Sequence, residues 1–343
     1  MPENDVGLRI ALGWRPIPAR AGEEHILAQL LRQHGHQVTQ TQDAGLDLSD
    51  FDIVFLLENC GWFPKILEAF GALRNKSERP LLVVWHWEPL PLPTVAEAPK
   101  PRLSLREIAK ILLRDARATD PYTNFRKLQR LNGKGWPLLL VVSSQAWAES
   151  LAERGIPAHW VPYGYDSSCG GESPDEPDSA RDIEALFLGA LEIPRRRKII
   201  QELRGKGIQL EARGSWTDKE LWGEQRNGLI HRAETFLNIQ RYPREIGAHR
   251  LILGMANRSL VVSEPIYRPE PFLPGKHYVE AEVREMPDVL RYYHTHCGER
   301  SEIVNRAYRF VTEELRMAES VARILSLVIE VRREARRALS VTQ

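Results

Sequence analysis

Cysteine is scarce in this chain: Cys60, Cys169 and Cys297 are an odd three, widely spaced and without a C-x-x-C pair. That spacing excludes a disulfide framework and a cysteine zinc site, and it points to reduced thiols. An excess of one charge is missing too, since 47 Lys and Arg stand against 46 Asp and Glu, a net charge of +1. No global field favours nucleic acid or membrane, so either partner has to be recognised by a local patch. No apolar run approaches the ~18 residues of a spanning helix. The start, MPENDV, is charged where a secretory leader has a basic stub and an apolar stretch. The expectation is a soluble, cytoplasmic protein whose 343 residues suffice for two domains.

What is present is alternation. Strand-type runs at residues 8–13, 52–57, 81–86 and 138–144 are separated by helical stretches, and continuous apolar strands between helices predict a parallel sheet covered on both faces. The tract GGESPDEPDSARD, residues 170–182, breaks the pattern and reads as a linker. Alternation then resumes with runs at 185–189, 208–214, 235–239 and 260–265. Two consecutive α/β units predict two Rossmann-like domains, with ligand bound beyond the carboxyl ends of their strands in the cleft between them. The expected boundaries are 1–165, 183–316 and a final helix, 317–343, whose stripe of Val321, Ile324, Leu325, Val328 and Ile329 must pack on something.

Five passages carry a resemblance: EHILAQLLRQHGHQV (24–38), VVSSQAWAESLAERGIPAHWVPYGYD (141–166), FLGALEIPRRRKIIQEL (187–203), LNIQRYPREIGAHRLILGMANRSLVVSEP (237–265) and PGKHYVEAEVREMPDVLRYY (274–293). In this order they resemble the GT-B glycosyltransferases, especially the large retaining "group 1" family and its branch related to spore-maturation proteins. The resemblance implies an α/β fold of two facing Rossmann-like domains, with a C-terminal helix crossing back to the first. It implies a nucleotide-diphosphate sugar bound by the C-terminal domain and a small-molecule, glycan or lipid-linked acceptor bound by the N-terminal domain. It also implies no metal, no cofactor beyond the donor, and retention at the transferred carbon. A silent sugar-nucleotide-binding module and a sugar-nucleotide epimerase on the same fold stay open as alternatives.

The departing diphosphate needs positive charge and N–H donors. Arg195 and Lys198, after the strand-ending Gly189 and Pro194, match the family's basic pair to within one residue of register in PRRRK. Glu245 holds the first place of the family's Glu, seven residues, Glu signature, and by resemblance binds donor-sugar hydroxyls. Leu253 stands where the second, ribose-binding Glu belongs. Ile246, Gly247 and Ala248 open the following helix and would cap the phosphate. His86 ends an apolar strand, where an imidazole orients an acceptor hydroxyl or else simply packs between Trp85 and Trp87; Glu88 is the other acceptor base. Gly13 should lie beside the phosphates, helped by Arg15 and Arg20. Asp50 and Asp52 spell D-x-D outside any nucleotide-site context, and His294, His296 and Cys297 lack a fourth ligand.

Residues 100–136 hold ten basic and three acidic residues. Within them SLREIAKILLRDAR places Leu105, Ile108 and Leu112 on one face and bases on another. That pattern suits a weak membrane-surface contact or a solvated helix whose apolar side is core.

Overall fold

The computed structural model describes residues 7–14, 23–42, 45–73, 79–113, 115, 118–171, 181–214 and 221–341. The first half folds as β1 (Arg9–Gly13), α1 (Glu23–Gln33), β2 (Gln37–Thr41), β3 (Ile53–Glu58), α2 (Pro64–Ala72), β4 (Leu81–His86), α3 (Leu105–Leu112), α4 (Pro121–Asn132), β5 (Leu138–Val142), α5 (Gln145–Ala152) and β6 (His159–Trp160). Its six strands form one parallel sheet in the order β2-β1-β3-β4-β5-β6. The central strands IVFLLE and LLVVWH are buried at every position, because helices cover both faces. The basic region holds two helices, α3 and α4. Asp120 caps α4 by accepting from the amides of Tyr122 and Thr123 at 3.1 and 3.0 Å, with Pro121 in the first turn.

The second half supplies β7 (Ile183–Leu188), α6 (Pro194–Gly205), β8 (Leu210–Arg213), α7 (Gly223–His231), β9 (Ala233–Asn238), α8 (Ala248–Ala256), β10 (Leu260–Ser263), β11 (Val279–Glu280), α9 (Met286–Thr295), α10 (Cys297–Arg309) and α11 (Met317–Val341). Its strands make a second parallel sheet, in the order β11-β10-β9-β7-β8.

The chain returns to the first unit at Tyr165, whose amide donates to Leu315 O and whose carbonyl accepts from the Met317 amide, each at 2.7 Å. A side chain on Gly164 would place its Cβ 2.5 Å from the Met317 nitrogen, so only glycine lets the two segments meet there. From this crossing α11 runs back along the first unit. It buries Val321, Ile324, Leu325 and Val328, while Ser320 Oγ donates to Pro162 O at 2.8 Å and Arg332 Nη1 to Asp52 O at 3.2 Å. The apolar stripe thus joins a core continuous with both sheets.

Candidate active site

The carboxyl ends of β3, β4 and β5 and of β7, β8 and β9 open onto a single cleft of about 320 Å³. The first unit contributes Glu58, Trp87, Glu88 and Tyr163, and the second Gly189, Arg196, Arg241, Glu245, Ala248 and Arg250. Glu58 holds a left-handed backbone, φ 66°, a conformation costly for glutamate and typical of residues aimed at a site.

The most basic wall of the cleft is built on Gly189. A Cβ there would lie 3.3 Å from Arg250 Nη2 and 3.5 Å from Arg196 Nη1, so two guanidinium groups converge on a bare backbone position. Both arginines stack on Phe187 at the end of β7 and are anchored from behind. Arg196 Nε donates to Ile239 O at 3.0 Å, and Arg250 Nη1 to Asn238 Oδ1 at 2.8 Å. Burial disfavours the charge of each, and for Arg196 the Arg250 charge adds to the effect; Arg250 is brought down to about 10. An anion between them relieves both costs. Beside them Ile246, Gly247 and Ala248 present the start of α8, whose first amides have no acceptor within the helix.

Glu245 sits in the same wall, its Oε2 accepting from the Tyr242 amide at 3.3 Å. Burial pushes its carboxyl up to about 7, against the charges of Arg241 and Arg196, which favour ionisation. Two carboxylates of the first unit tie the units together across the cleft rim. Glu107 of α3 accepts at Oε1 from Arg241 Nη2 at 2.6 Å and from the Tyr242 hydroxyl at 2.7 Å. Glu149 of α5 accepts from the Tyr267 hydroxyl at 3.1 Å and from Arg268 Nε at 2.8 Å. Burial works to raise Glu107, but the donors Tyr242, Ser104 and Arg241 hold its carboxyl down to about 2.

The expected residues divide between the cleft and its surroundings. Glu88, Gly189, Glu245, Ile246, Gly247 and Ala248 line it, and so does Leu253. Four do not. Arg195 turns away into an ion pair with the buried Glu264 and donates to Gln240 O at 2.9 Å, and Lys198 stands exposed on α6. At about 100° per residue the helix can aim only one of these neighbours at Gly189, and that one is Arg196. Gly13 packs inside the first core, where a Cβ would meet Leu56, Phe63 and Ile66. His86 is fully buried behind the cleft wall, its ring 6.3 Å from that of Trp147, and burial with the nearby Lys127 charge brings its imidazole down to about 3. It is a neutral packed histidine, not one open to an acceptor. Arg15 and Arg20 lie outside the described residues.

Of the ligand-like groups set aside in the sequence, Asp52 pairs with Arg9 and Arg332, and His294 Nδ1 lies 2.8 Å from Glu234. Sequence reasoning missed Arg250, Arg241, His249, Glu58 and Glu107. Glu58 carried a signal, since it ends a buried strand as His86 does; the two arginines sit inside a passage whose resemblance drew attention to Glu245 instead.

Two parallel α/β units meeting across a cleft, closed by a returning C-terminal helix, define the GT-B fold, the architecture of glycosyltransferases. Residues 195–326 match the family described as glycosyl transferase-like. Among solved structures, Anabaena HepE, seen with UDP and glucose and with UDP-glucose, superposes with a TM-score of 0.60 at 13% identity, over 94% of this chain and 100% of its own. Sucrose-phosphate synthase from Thermosynechococcus elongatus gives 0.59 at 12% identity over 94% and 99%. The avilamycin-pathway glycosyltransferase AviGT4 gives 0.54 at 15% over 96% and 98%. No curated protein matches the sequence. The family match covers residues 195–326, within the second unit, and the likeness to these structures shows the GT-B fold. No helix among the described residues is long and apolar enough to cross a membrane.

Proposed function

We propose that the protein transfers a sugar from a nucleotide-diphosphate sugar to an acceptor hydroxyl, with retention and without a metal. The observation that carries this is the pairing of Arg196 and Arg250 over Gly189 at the start of α8, a cationic seat for a diphosphate. In the reaction the acceptor oxygen bonds to C1 as the C1–O bond to the diphosphate breaks. A phosphate oxygen of the leaving group takes the acceptor proton. The two guanidinium groups stabilise the charge that develops on the diphosphate, which is the part a divalent cation plays in other phosphate chemistry. In this reading Glu245 holds hydroxyls of the donor sugar and Glu88 orients the acceptor; both line the cleft, one from each unit, which supports these roles. Leu253 offers the nucleotide an apolar surface in place of a ribose-binding carboxylate.

Because the Anabaena neighbour holds UDP and UDP-glucose, UDP-sugars head the donor panel, followed by GDP- and dTDP-sugars. Slow release of nucleotide, unaffected by EDTA, supports transfer, and the product's anomeric configuration by NMR tests retention. Binding without turnover of any donor would leave a silent binding module. The three carboxylates Glu58, Glu88 and Glu245 in one cleft favour a second reading, epimerisation of the sugar nucleotide, which the same NMR experiment detects as a changed sugar still joined to its diphosphate.

A further inference from the structure

Helix α3 is built inside out. A surface helix normally turns its apolar stripe to the core, yet none of the residues of α3 is buried. Leu105 is 86% exposed, Leu112 77% and Leu113 80%, with Ile108 at 41%. Half-buried Glu107 closes the capping box with Ser104 and takes Arg241 and Tyr242 at the cleft rim, and Lys110 and Ile111 are half-buried beside it. Of seven large apolar side chains standing exposed among the described residues, five fall between Val95 and Leu113. Such concentration is unusual for a surface that faces only water. Exposed Lys100, Arg102 and Arg106 border it. An apolar face edged by bases is the signature of a helix lying in the headgroup region of an anionic bilayer.

We propose that residues 95–113 dock the protein on an anionic lipid surface. The basic border selects this occupant over a second copy of the chain, because a symmetric contact would set like charges against each other. Since α3 also reaches the cleft rim through Glu107, docking brings the mouth of the cleft to the headgroups. If the transferase reading above holds, the acceptor is then a hydroxyl carried by a membrane lipid.

The test is co-sedimentation of the full-length protein with vesicles of phosphatidylglycerol mixed into phosphatidylcholine, and with phosphatidylcholine alone. Binding is expected to the anionic vesicles and to fall steeply with salt. The variant L105Q/L112Q/L113Q alters only exposed positions and should lower vesicle affinity at least about tenfold. R102E/R106E should lose roughly fivefold or more per residue. Both should keep the melting temperature of the parent. Absence of binding to anionic vesicles, or undiminished binding by the triple variant, overturns the proposal. So does a concentration-dependent dimer in light scattering that the triple variant abolishes. Nucleoside-diphosphate affinity, measured in parallel without vesicles, reports on the donor site alone, so failure of docking and failure of the transferase reading are told apart.

Discussion

Arg196 and Arg250 are two cations held against one ring, their guanidinium carbons 5.6 and 5.5 Å from the centre of Phe187. They come from different helices, α6 and α8, and among the described residues neither makes a salt bridge of the kind Arg195 makes with Glu264, although Glu245 and Glu264 favour the charge of both. Like charges gathered on an aromatic face at the start of a helix are stable when an anion completes them. Removing either should therefore be felt mainly by the ligand.

R196A and R250A are each expected to weaken nucleoside-diphosphate binding by about tenfold to a hundredfold, the worth of one charge-assisted contact, about 1.5 to 3 kcal/mol. K198A should bind like the parent, because Lys198 stands exposed outside the cleft. Titration calorimetry decides. Parental affinity in both arginine variants, after melting curves confirm folding, would move the diphosphate elsewhere.

Glu245 gives the site a pH signature. Burial raises its carboxyl to about 7, so near neutrality it is partly protonated, and a diphosphate brought alongside favours the protonated form further. Binding at pH 7 to 8 should thus take up protons, seen as a dependence of the apparent enthalpy on the buffer's ionisation heat, and E245Q should lose that uptake. Stability follows the same sign. With the folded value above the unfolded one, the contribution of Glu245 is full below about 4.5 and is lost as pH rises through about 7. E245Q should flatten the fall in melting temperature over that window.

Much of the fold was legible in the sequence, and the reason is physical. Strands such as LLVVWH are buried on both faces, and their uninterrupted apolar runs between helical stretches leave few architectures open. The cleft lining was legible where backbone sets it, since Gly189, Gly247 and the start of α8 follow from strand–turn–helix order, and at Glu88 and Glu245. Which arginine of PRRRK faces the cleft depends on helix phase and on the Ile239 carbonyl that anchors Arg196, a contact 43 residues away. His86 was misplaced because a strand's last residue can point to the ligand or into the sheet's cover, and burial decides between them. The outward apolar face of α3 was one of two readings that the pattern of SLREIAKILLRDAR left open, and the exposure of Leu105, Ile108 and Leu112 decides against an apolar side packed in the core.

The Glu107–Arg241 pair should couple the two domains. E107A removes the reciprocal half of the capping box, while Ser104 still caps α3, and leaves Arg241 without its carboxylate partner. A double-mutant cycle with R241A, read by chemical denaturation, is expected to give a coupling energy of about 1 to 3 kcal/mol. Additive effects would mean that the contact carries no energy between the domains.

The returning helix should be part of the first core and not an appendage. I324A removes a side chain that is 1% exposed and should cost about 2 to 5 kcal/mol. The expected denaturation curve keeps one transition with a lowered midpoint. A separate early transition for α11 would show that it folds apart from the sheet it covers.

His86 supplies the sharpest contrast between a packed and a reacting group. It is fully buried, and its imidazole is held near 3 by burial first and by the Lys127 charge second, so it stays neutral throughout the physiological range. A folded-state value lowered from 6.5 to about 3 means that the neutral ring is what the structure accommodates; its contribution to stability is full above about 6.5 and is lost as pH falls toward about 3, because the unfolded chain takes up the proton first. H86A should thus destabilise the protein, by about 2 kcal/mol from the lost packing beside Trp147. The folded fraction should keep its nucleoside-diphosphate affinity and, with any acceptor that works, turn over within a few-fold of the parent. H86F, which refills most of the volume, should recover part of the lost stability. A thousandfold loss of kcat in a variant with parental melting would be the size expected of a group at the reacting centre. That result would return His86 to the mechanism and show that the cleft opens further toward β4 than this conformation does.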